Sequence, residues 1–331
     1  MSARQTGARD GRPVVVVTRR LPQRVEDALL ERYDARLNTL DQPLGEAELR
    51  DAVRQADALL CTVTDRVTRE VLTAAPRRSR LVVNFGVGVN HIDLAAAREA
   101  GIVVTNTPGV LTDDTADLAI ALLLAVARRT GEGERLVRAG AWPGWAPTQL
   151  LGTRVSGKTL GIVGYGRIGR AVAQRARHGF GMRVLVHSRR PAAGEGTTAE
   201  IEWRAELDDL LVESDFVSLH CPATPDTRHL IDGGRLRRMQ RTAYLVNTAR
   251  GDVVDERALA DALHAGTIAG AGLDVYEREP AVWPALLNAP NVVLLPHLGS
   301  ATAETREAMG LRALANLDAF FGDGEPPDRV A

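Results

Sequence analysis

Three short stretches carry residues that could do chemistry. They are N-T-A-R-G-D (247–252) with Arg250, G-L-D-V-Y-E-R-E-P (272–280) with Asp274 and Glu279, and L-L-P-H-L-G-S (294–300) with His297. A histidine titrates near neutral pH and can donate a proton, and an adjacent carboxylate stabilises its charged form. An arginine can hold a carboxylate through two parallel hydrogen bonds. Together these groups suit reduction of a 2-oxo acid, because negative charge then develops on the carbonyl oxygen.

Each of these residues also has a plainer explanation when it is taken singly. An arginine at a strand end commonly forms a surface ion pair, and a lone histidine is commonly structural. Their joint occurrence at the ends of successive apolar strands favours one shared site, because ligands of open α/β sheets bind beyond the carboxyl ends of the strands.

A glycine motif precedes these stretches in the chain. G-Y-G-R-I-G (164–169) follows the apolar run 159–163 and opens a helical pattern. Gly164 permits a tight turn, Gly166 lets the backbone approach a pyrophosphate, and Gly169 lets the helix pack closely on the strand. The helix amides then face the phosphates. The pattern predicts a dinucleotide site, and the alternative is a glycine-rich turn without a ligand.

The residue that contacts the adenosine ribose lies about 20 positions beyond such a motif. Here V-L-V-H-S-R-R-P (184–191) supplies Ser188, 19 residues after Gly169, and then Arg189 and Arg190. An aspartate would bind the 2′-hydroxyl and repel a 2′-phosphate, whereas an arginine can bind that phosphate. We therefore predict a preference for NADP(H), with NAD(H) as a possible cofactor. The alternative is that both arginines are solvated, in a chain where all but one of the 41 basic residues are arginine.

The elements that must position these residues alternate between strands and helices. The first series of apolar runs lies at 14–18, 58–62, 81–85 and 102–106, with helical patterns at 25–34, 46–55 and 93–100. The second series lies at 159–164, 183–187, 216–220, 243–247, 269–274 and 292–296. Continuous apolar strands between helices predict parallel sheets covered on both faces. The fold class is therefore α/β, with two doubly wound units.

The segment between the two series predicts a helix and a loop. Thr112, Asp113 and Asp114 suit a helix N-terminus. The apolar run 118–127 that follows is too short to span a bilayer, so we predict a buried helix that bridges the two units. A turn-rich loop, A-W-P-G-W-A-P (141–147), comes after it.

Composition and charge narrow the function classes. The chain has 331 residues, enough for two domains, and its net charge of −1 favours neither nucleic acid nor an anionic membrane. The two cysteines, Cys61 and Cys221, lie outside C-x-x-C pairs, and the first residues lack the apolar segment of a secretory signal. We therefore expect a cytoplasmic protein. His220 and His229 have no ligand-like spacing, and we predict no metal site.

Six stretches together resemble the D-isomer-specific 2-hydroxyacid dehydrogenases, over about Val14 to Val330. They are V-V-N-F-G-V-G-V-N-H-I-D, V-T-N-T-P-G-V-L-T-D-D-T-A-D, G-K-T-L-G-I-V-G-Y-G-R-I-G, N-T-A-R-G, G-L-D-V-Y-E-R-E-P and P-H-L-G-S-A. The sequence is most similar to the glyoxylate/hydroxypyruvate reductase (glycerate dehydrogenase) branch. The resemblance implies a Rossmann dinucleotide-binding domain, 108–297, inserted into a flavodoxin-like substrate domain made of 1–107 and 298–331.

The resemblance also implies roles for individual residues. His297 would be the acid/base, with Glu279 as its partner and Arg250 as a substrate ligand. The backbone around Val87 and Gly88 would receive the substrate carboxylate. With the glycine motif, the residues expected along the cofactor are Gly164, Gly166, Arg167, Ile168, Gly169, Ser188, Arg189, Arg190, Thr115, Cys221, Pro222, Thr227, Thr248, Ala249, Asp274 and Gly299, the last two near the nicotinamide carboxamide.

A homodimer is a further implication of the resemblance. It would be built on the helix and loop from about 112 to 147, and a tryptophan of that loop could reach the partner's substrate site. Trp145 is the nearest match and Trp142 is the second candidate. The alternative is that both tryptophans only pack in the interface.

At two positions we prefer a structural interpretation to a catalytic one. Asn90-His91 stands where the family more often has an aspartate followed by asparagine, and we interpret His91 as structural rather than as a second acid. Cys221 lies beside the expected cofactor path, and we interpret it as a small buried residue rather than a nucleophile.

The predicted function is NADPH-dependent reduction of glyoxylate or hydroxypyruvate to the D-2-hydroxy acid. Alternatives within the family are a 2-ketogluconate reductase and a phosphoglycerate dehydrogenase-like enzyme. A hypothesis of another class is a dinucleotide-sensing binding protein, since this fold also serves corepressors. A sensor has no need of Arg250, Glu279 and His297 together, which favours the enzyme.

Overall fold

The computed structural model describes residues 11–189, 201–322 and 324–331. The chain divides into two compact units. The first comprises the chain up to Leu111 together with Thr302–Ala331, and the second is Thr112–Ala301. The predicted borders, after 107 and after 297, lie a few residues before these.

The first unit contains a five-stranded parallel sheet with the order β2-β1-β3-β4-β5. The strands are β1 (Val14–Val17), β2 (Asp34–Arg36), β3 (Ala58–Thr62), β4 (Leu81–Phe85) and β5 (Val103–Thr105). In the register, Val16 lies beside Leu59 of β3, and Leu60 lies beside Val83 of β4. This is the strand order of flavodoxin-like sheets.

Helices cover both faces of this sheet. They are α1 (Gln23–Arg32), α2 (Glu46–Gln55), α3 (Arg69–Leu72), α4 (Leu94–Glu99) and the C-terminal α12 (Ala303–Phe321). Leu29 of α1 and Leu314 of α12 belong to a buried cluster with Val15 and Val83. Leu49 of α2 belongs to the cluster on the opposite side. Burial on both faces explains why β1, β3 and β4 are largely apolar.

The second unit contains a seven-stranded parallel sheet with the order β12-β11-β10-β9-β6-β7-β8. Its strands are β6 (Thr159–Val163), β7 (Arg183–His187), β8 (Ile201–Trp203), β9 (Phe216–Leu219), β10 (Tyr244–Asn247), β11 (Gly270–Leu273) and β12 (Val292–Leu294). Counted from β6, this is the Rossmann order with one added strand, and β6 and β9 flank the point where the order reverses. The two doubly wound parallel sheets confirm the predicted fold class.

In the described part of the second unit, seven α-helices accompany this sheet. They are α5 (Thr112–Ala127), α6 (Thr130–Arg138), α7 (Arg167–Phe180), α8 (Leu207–Glu213), α9 (Gly233–Leu236), α10 (Glu256–His264) and α11 (Pro284–Leu287). The helix expected to bridge the units is α5, and it belongs to the second unit, where Leu122 and Val126 pack in one cluster with Ile162 and Val172. Within the described ranges, no helix is long and apolar enough to cross a membrane.

Two strands were not predicted from the sequence. The helical pattern assigned to 25–34 is wrong at its end, because α1 stops at Arg32 and Asp34–Arg36 forms β2. The second missed strand is β8, Ile201–Trp203. Both are three-residue edge strands that carry a charged residue, which is how natural sheets limit pairing at their edges. That composition removes the apolar run by which the other strands were predicted.

Candidate active site

His297 and Glu279 lie side by side in the second unit. Nδ1 of His297 is 2.8 Å from Oε2 of Glu279, and Oε1 of Glu279 accepts a hydrogen bond from the amide of Tyr276 at 3.0 Å. Burial by itself raises the pKa of Glu279, but the hydrogen bond and charge of His297 outweigh it, so the pKa is lowered. An ionised Glu279 holds the ring through Nδ1 and leaves Nε2 as the nitrogen that can exchange a proton.

The backbone of His297 is in the left-handed region, with φ of 57°. Few residues other than glycine adopt this conformation without support from their surroundings. The support comes from Asp274: its carbonyl accepts from the amide of His297 at 2.9 Å, and its carboxylate accepts from the amides of Leu298 at 2.6 Å and Gly299 at 2.8 Å. The hydroxyl of Thr115 donates to the carbonyl of Gly299 at 2.8 Å. Asp274, Thr115 and Gly299 therefore hold the turn that carries His297.

Arg250 follows the last residue of β10 by three positions. The side-chain amide of Asn247 donates to the carbonyl of Arg250 at 2.9 Å. The next residue, Gly251, packs so closely that a Cβ there would lie 1.9 Å from the carbonyl carbon of Tyr276. Desolvation lowers the pKa of the Arg250 guanidinium, and the charge of Glu279 opposes this. An arginine still keeps its positive charge under such a shift, so Arg250 is a cation held in largely desolvated surroundings.

Strand order explains how residues far apart in the chain come together. β10, β11 and β12 are neighbours at one side of the sheet. Arg250, Glu279 and His297 follow the ends of these three strands, and the carboxyl ends of parallel strands share one edge of the sheet. The structure therefore brings together a cation, a carboxylate and a proton-exchanging ring.

The glycine turn between β6 and α7 has the geometry of a dinucleotide site. Gly164 has φ of 95°, and a Cβ at Gly169 would lie 2.2 Å from the carbonyl oxygen of Gly164. Nothing lies within 4 Å of a Cβ built on Gly166. The first residues of α7 are the exposed Arg167 and the half-buried Ile168. The open side at Gly166, in front of a helix N-terminus, fits the pyrophosphate of a nicotinamide dinucleotide.

The end of β7 carries the residues expected near the adenosine ribose. Ser188 is half-buried and Arg189 is exposed, with its Nη1 atom 3.4 Å from Oδ2 of Asp226. Arg190, the third residue of that prediction, lies outside the described residues.

The loop after β9 contains three more residues of the expected cofactor path. The hydroxyl of Thr227 donates to the carbonyl of Pro222 at 2.6 Å and accepts from the amide of Thr224 at 2.8 Å. Cys221 is a free cysteine that packs against the buried core, and burial raises the pKa of its thiol to about 11. A thiol with that pKa is protonated at neutral pH and is a poor nucleophile.

Thr248 and Ala249 lie between β10 and Arg250. The hydroxyl oxygen of Thr248 is buried and makes no hydrogen bond to any residue that the structure describes. Buried polar atoms are nearly always paired, so this hydroxyl fits a position where a ligand group completes the pairing. Ala249 is half-buried, and its amide donates to Oδ1 of Asn247 at 3.0 Å.

Val87 and Gly88 lie in the first unit, in the loop after β4. Asn84 donates from its side-chain amide to the carbonyls of Gly86 at 2.9 Å and Gly88 at 3.0 Å, and Asn106 donates to the carbonyl of Val87 at 2.9 Å. Within the described part of the chain, the amides of Val87 and Gly88 donate to no acceptor. A loop whose carbonyls are held and whose amides are available has the chemistry to bind an anion.

The two tryptophans of the loop after α6 are exposed. Trp145 is 83% exposed and Trp142 is 52% exposed, and the indole of Trp142 donates to Gln149 at 3.2 Å. Trp145, expected to contact substrate in a partner's site, thus lies on the surface of its own unit.

Two further histidines, His91 and His220, have local partners. Nε2 of His91 lies 3.0 Å from Oδ1 of Asn84, a structural contact that supports the loop of Val87. Nε2 of His220 lies 2.8 Å from the hydroxyl of Ser218, and burial lowers the pKa of His220 to about 4, so the ring is neutral at physiological pH. Across residues 11–189, 201–322 and 324–331, no three His, Cys, Asp or Glu side chains are grouped to hold a metal ion.

The sequence did not reveal some of the buried residues that support the candidate site through hydrogen bonds. Asn247 and Asn84 are fully buried and each ends or nearly ends an apolar strand. An asparagine inside a run such as A-Y-L-V-N is the signal that could have found them, because a buried amide needs hydrogen-bond partners. Tyr276, whose hydroxyl donates to the carbonyl of Leu295 at 2.9 Å, gave no such signal.

Comparisons with known proteins agree over both units. Residues 120–299 match the family described as D-isomer specific 2-hydroxyacid dehydrogenase, NAD binding domain. The chain is 47% identical over 325 residues to a glyoxylate reductase of Thermococcus litoralis, covering 96% of this chain and 97% of that protein. It is 48% identical to a glyoxylate reductase of Thermococcus kodakarensis, covering 96% of each. A solved NADPH-dependent glyoxylate/hydroxypyruvate reductase from Sinorhizobium meliloti, in complex with NADP and malonate, superposes with a TM-score of 0.86 at 37% identity over 97% of both chains.

Proposed function

The chain belongs to the D-isomer-specific 2-hydroxyacid dehydrogenase family, and we propose that it reduces glyoxylate and hydroxypyruvate to the D-2-hydroxy acid with NADPH. Membership of the family makes it an NAD(P)-dependent oxidoreductase. The substrate, the preferred cofactor and the residue roles are the proposal. The observation that carries it is the 2.8 Å contact between His297 and Glu279, with the charge of Arg250 beside them.

Each residue of the candidate site has a separate role in the proposed reaction. When bound, the reduced nicotinamide supplies a hydride that forms the new C–H bond, while the electron pair of the C=O bond moves onto oxygen. Protonated His297 gives the proton on Nε2 to that oxygen, which becomes the hydroxyl. Glu279 holds the ring through Nδ1 and stabilises its charged form before the transfer. Arg250 binds the substrate carboxylate through its guanidinium. For the amides of Val87 and Gly88, in the first unit, the family resemblance suggests a role in substrate binding, and that role stays a prediction.

Three features support NADPH as the reductant. Ser188 stands where an aspartate would repel a 2′-phosphate, and Arg189 follows it with an exposed guanidinium. The related reductase from Sinorhizobium meliloti was solved with NADP. One charge-assisted hydrogen bond from Arg189 to the phosphate would correspond to about 10- to 100-fold in affinity.

Initial rates with glyoxylate and hydroxypyruvate, each with NADPH and with NADH, test this proposal. We expect kcat/KM to be at least about tenfold higher with NADPH. Equal efficiencies would overturn the cofactor assignment. If only larger 2-oxo acids are turned over, the enzyme would instead resemble a 2-ketogluconate reductase. If neither cofactor is oxidised with any substrate, the proposed reaction is wrong.

His297→Asn tests the proton donor. Because asparagine cannot deliver a proton to the carbonyl oxygen, kcat should fall by about 10²- to 10⁴-fold, while the Kd for NADPH changes little. His178→Asn, a change of an exposed histidine on α7, is the matched control and should retain kcat. Near-full activity of His297→Asn would exclude the assigned role.

We also propose that the protein is a homodimer built on α5, α6 and the loop that follows. Among the residues of α6 none is buried. Val137, Trp145 and Leu151 in this region are 60%, 83% and 66% exposed. Several exposed apolar side chains within one segment support an interaction site, and a second copy is the occupant that the family resemblance suggests.

A further inference from the structure

Arg189 has a negatively charged neighbour. Its Nη1 atom lies 3.4 Å from Oδ2 of Asp226, and the two side chains are 69% and 77% exposed. The charge of Arg189 also reaches Cys221, where it opposes the larger rise in pKa that burial causes. The guanidinium therefore lies next to the loop after β9, which contains both Cys221 and Asp226.

The same loop keeps Asp226 in place. Asp226 is the middle residue of one 3-10 turn, Pro225–Thr227. The buried hydroxyl of Thr227 bonds to the carbonyl of Pro222 at 2.6 Å and to the amide of Thr224 at 2.8 Å. These bonds fix the local shape of the turn, so Asp226 extends from an ordered backbone beside Arg189.

We propose that Asp226 is a specificity-determining residue that weakens the preference for the 2′-phosphorylated dinucleotide. The inference rests on the proposed role of Arg189 in binding the 2′-phosphate. A phosphate that pairs with Arg189 shares the guanidinium with a carboxylate already beside it, and the two negative groups repel each other. The 2′-hydroxyl of NAD(H) carries no charge and meets no such repulsion. Asp226 thus reduces the difference that Arg189 creates between the affinity for NADP(H) and the affinity for NAD(H).

Asp226→Asn tests this role, since it removes the charge and keeps the size of the side chain. The probes are adenosine 2′,5′-bisphosphate and AMP, which differ only in the 2′-phosphate, and the readout is the ratio of their Kd values by titration calorimetry. The ratio should shift in favour of the bisphosphate by about three- to tenfold at low salt. The shift should shrink toward none above roughly 0.5 M NaCl, because salt screens exposed charges.

A matched control separates a local effect from a change in net charge. Asp51 contacts Arg54 at 3.4 Å in the first unit, and this pair is also exposed. Asp51→Asn changes the net charge by the same amount and should leave the ratio of Kd values as it is in the wild type. An Asp226→Asn ratio that is unchanged, or shifted toward AMP, overturns the inference.

The experiment also distinguishes failure of the inference from failure of the proposed function. If the wild type binds both probes equally, the preference for NADPH fails, but Asp226→Asn must still shift binding toward the bisphosphate. If the wild type prefers the bisphosphate and Asp226→Asn does not add to that preference, the inference alone fails. The ratio of kcat/KM values for NADPH and NADH should move in the same direction as the ratio of Kd values.

Discussion

His297 shows how a single residue is prepared for its role. A left-handed backbone at a residue other than glycine costs about 1–3 kcal/mol. Asp274 accepts three hydrogen bonds, at 2.6 to 2.9 Å, that hold the turn in this conformation. The ring is held separately by Glu279. Backbone and ring thus have independent supports, so the position of the ring and its charge can be tested one at a time.

Glu279→Gln tests the charge. The pKa of Glu279 is lowered, so its carboxylate remains ionised at pH values somewhat below the usual range for glutamate. That carboxylate is the acceptor that holds Nδ1 of His297, so reduction should decline as falling pH protonates Glu279. Glutamine does not titrate, so Glu279→Gln should lower kcat/KM and abolish this decline at acid pH. The measurement is kcat/KM for glyoxylate against pH.

The shape and the height of that pH profile answer different questions. A Glu279→Gln profile that is lower but keeps the decline at acid pH would show that another group causes the decline. Wild-type kcat/KM at every pH would remove Glu279 from the proposed mechanism.

At the scale of elements, the turn between β6 and α7 contains one glycine that the fold requires, Gly169, and one that cofactor binding requires, Gly166. A Cβ at Gly169 would lie 2.2 Å from the carbonyl oxygen of Gly164, whereas one at Gly166 would meet nothing within 4 Å. Gly169→Ala should therefore force α7 away from the strand, and Gly166→Ala should not disturb the fold.

This difference predicts opposite phenotypes for the two alanine variants. Gly166→Ala should keep the wild-type Tm but weaken NADPH binding on the order of tenfold, because the methyl group occupies the approach of the pyrophosphate. Gly169→Ala should lower the Tm even without cofactor. Thermal unfolding and titration of NADPH measure both effects. A loss of Tm in Gly166→Ala equal to that in Gly169→Ala would contradict the assignment.

The loop after β4 is a second element whose shape is set by side chains. Asn106→Ala removes the bond that holds the carbonyl of Val87 and leaves the two bonds of Asn84 in place. If the freed peptide turns, the amide of Gly88 no longer takes part in the proposed binding of the substrate carboxylate, and the KM for glyoxylate should rise about three- to tenfold. The Kd for NADPH is the comparison, since the proposed cofactor residues belong to the second unit. A well-folded Asn106→Ala with wild-type KM would contradict the proposed role of this loop.

At the scale of the whole molecule, the exposed aromatic surface after α6 carries a prediction about assembly. Trp145→Ala should weaken the proposed dimer, because the variant lacks a large apolar side chain that is 83% exposed in the single chain and would be buried in the proposed interface. Light scattering after size-exclusion chromatography measures the mass. Trp283→Ala, a change of a tryptophan that is 40% exposed elsewhere in the same unit, is the control.

Kinetics of the same variant distinguish packing from a role in the substrate site. A higher KM for hydroxypyruvate in a Trp145→Ala protein that remains dimeric would indicate that the tryptophan contacts substrate. A Trp145→Ala protein with unchanged mass and unchanged kinetics would remove both roles.

The sequence by itself determined the features that depend on local pattern. Continuous apolar runs such as V-V-V-V and T-L-G-I-V are buried strands of parallel sheets, as expected. The glycine spacing from Gly164 to Gly169 lies at a strand–helix turn, as expected from backbone sterics alone. These predictions succeed because burial and backbone freedom leave a trace in a few consecutive residues.

Only the tertiary structure decided which distant residues became partners. The edge strands β2 and β8 owe their existence to neighbours already in the sheet, because D-A-R and I-E-W have no strand pattern of their own. The contacts of Asp274 with Leu298 and Gly299, and of Asp226 with Arg189, join segments that strand order brings side by side. A hydrogen bond or an ion pair depends on distances of a few ångströms in space, and spacing along the chain does not encode them.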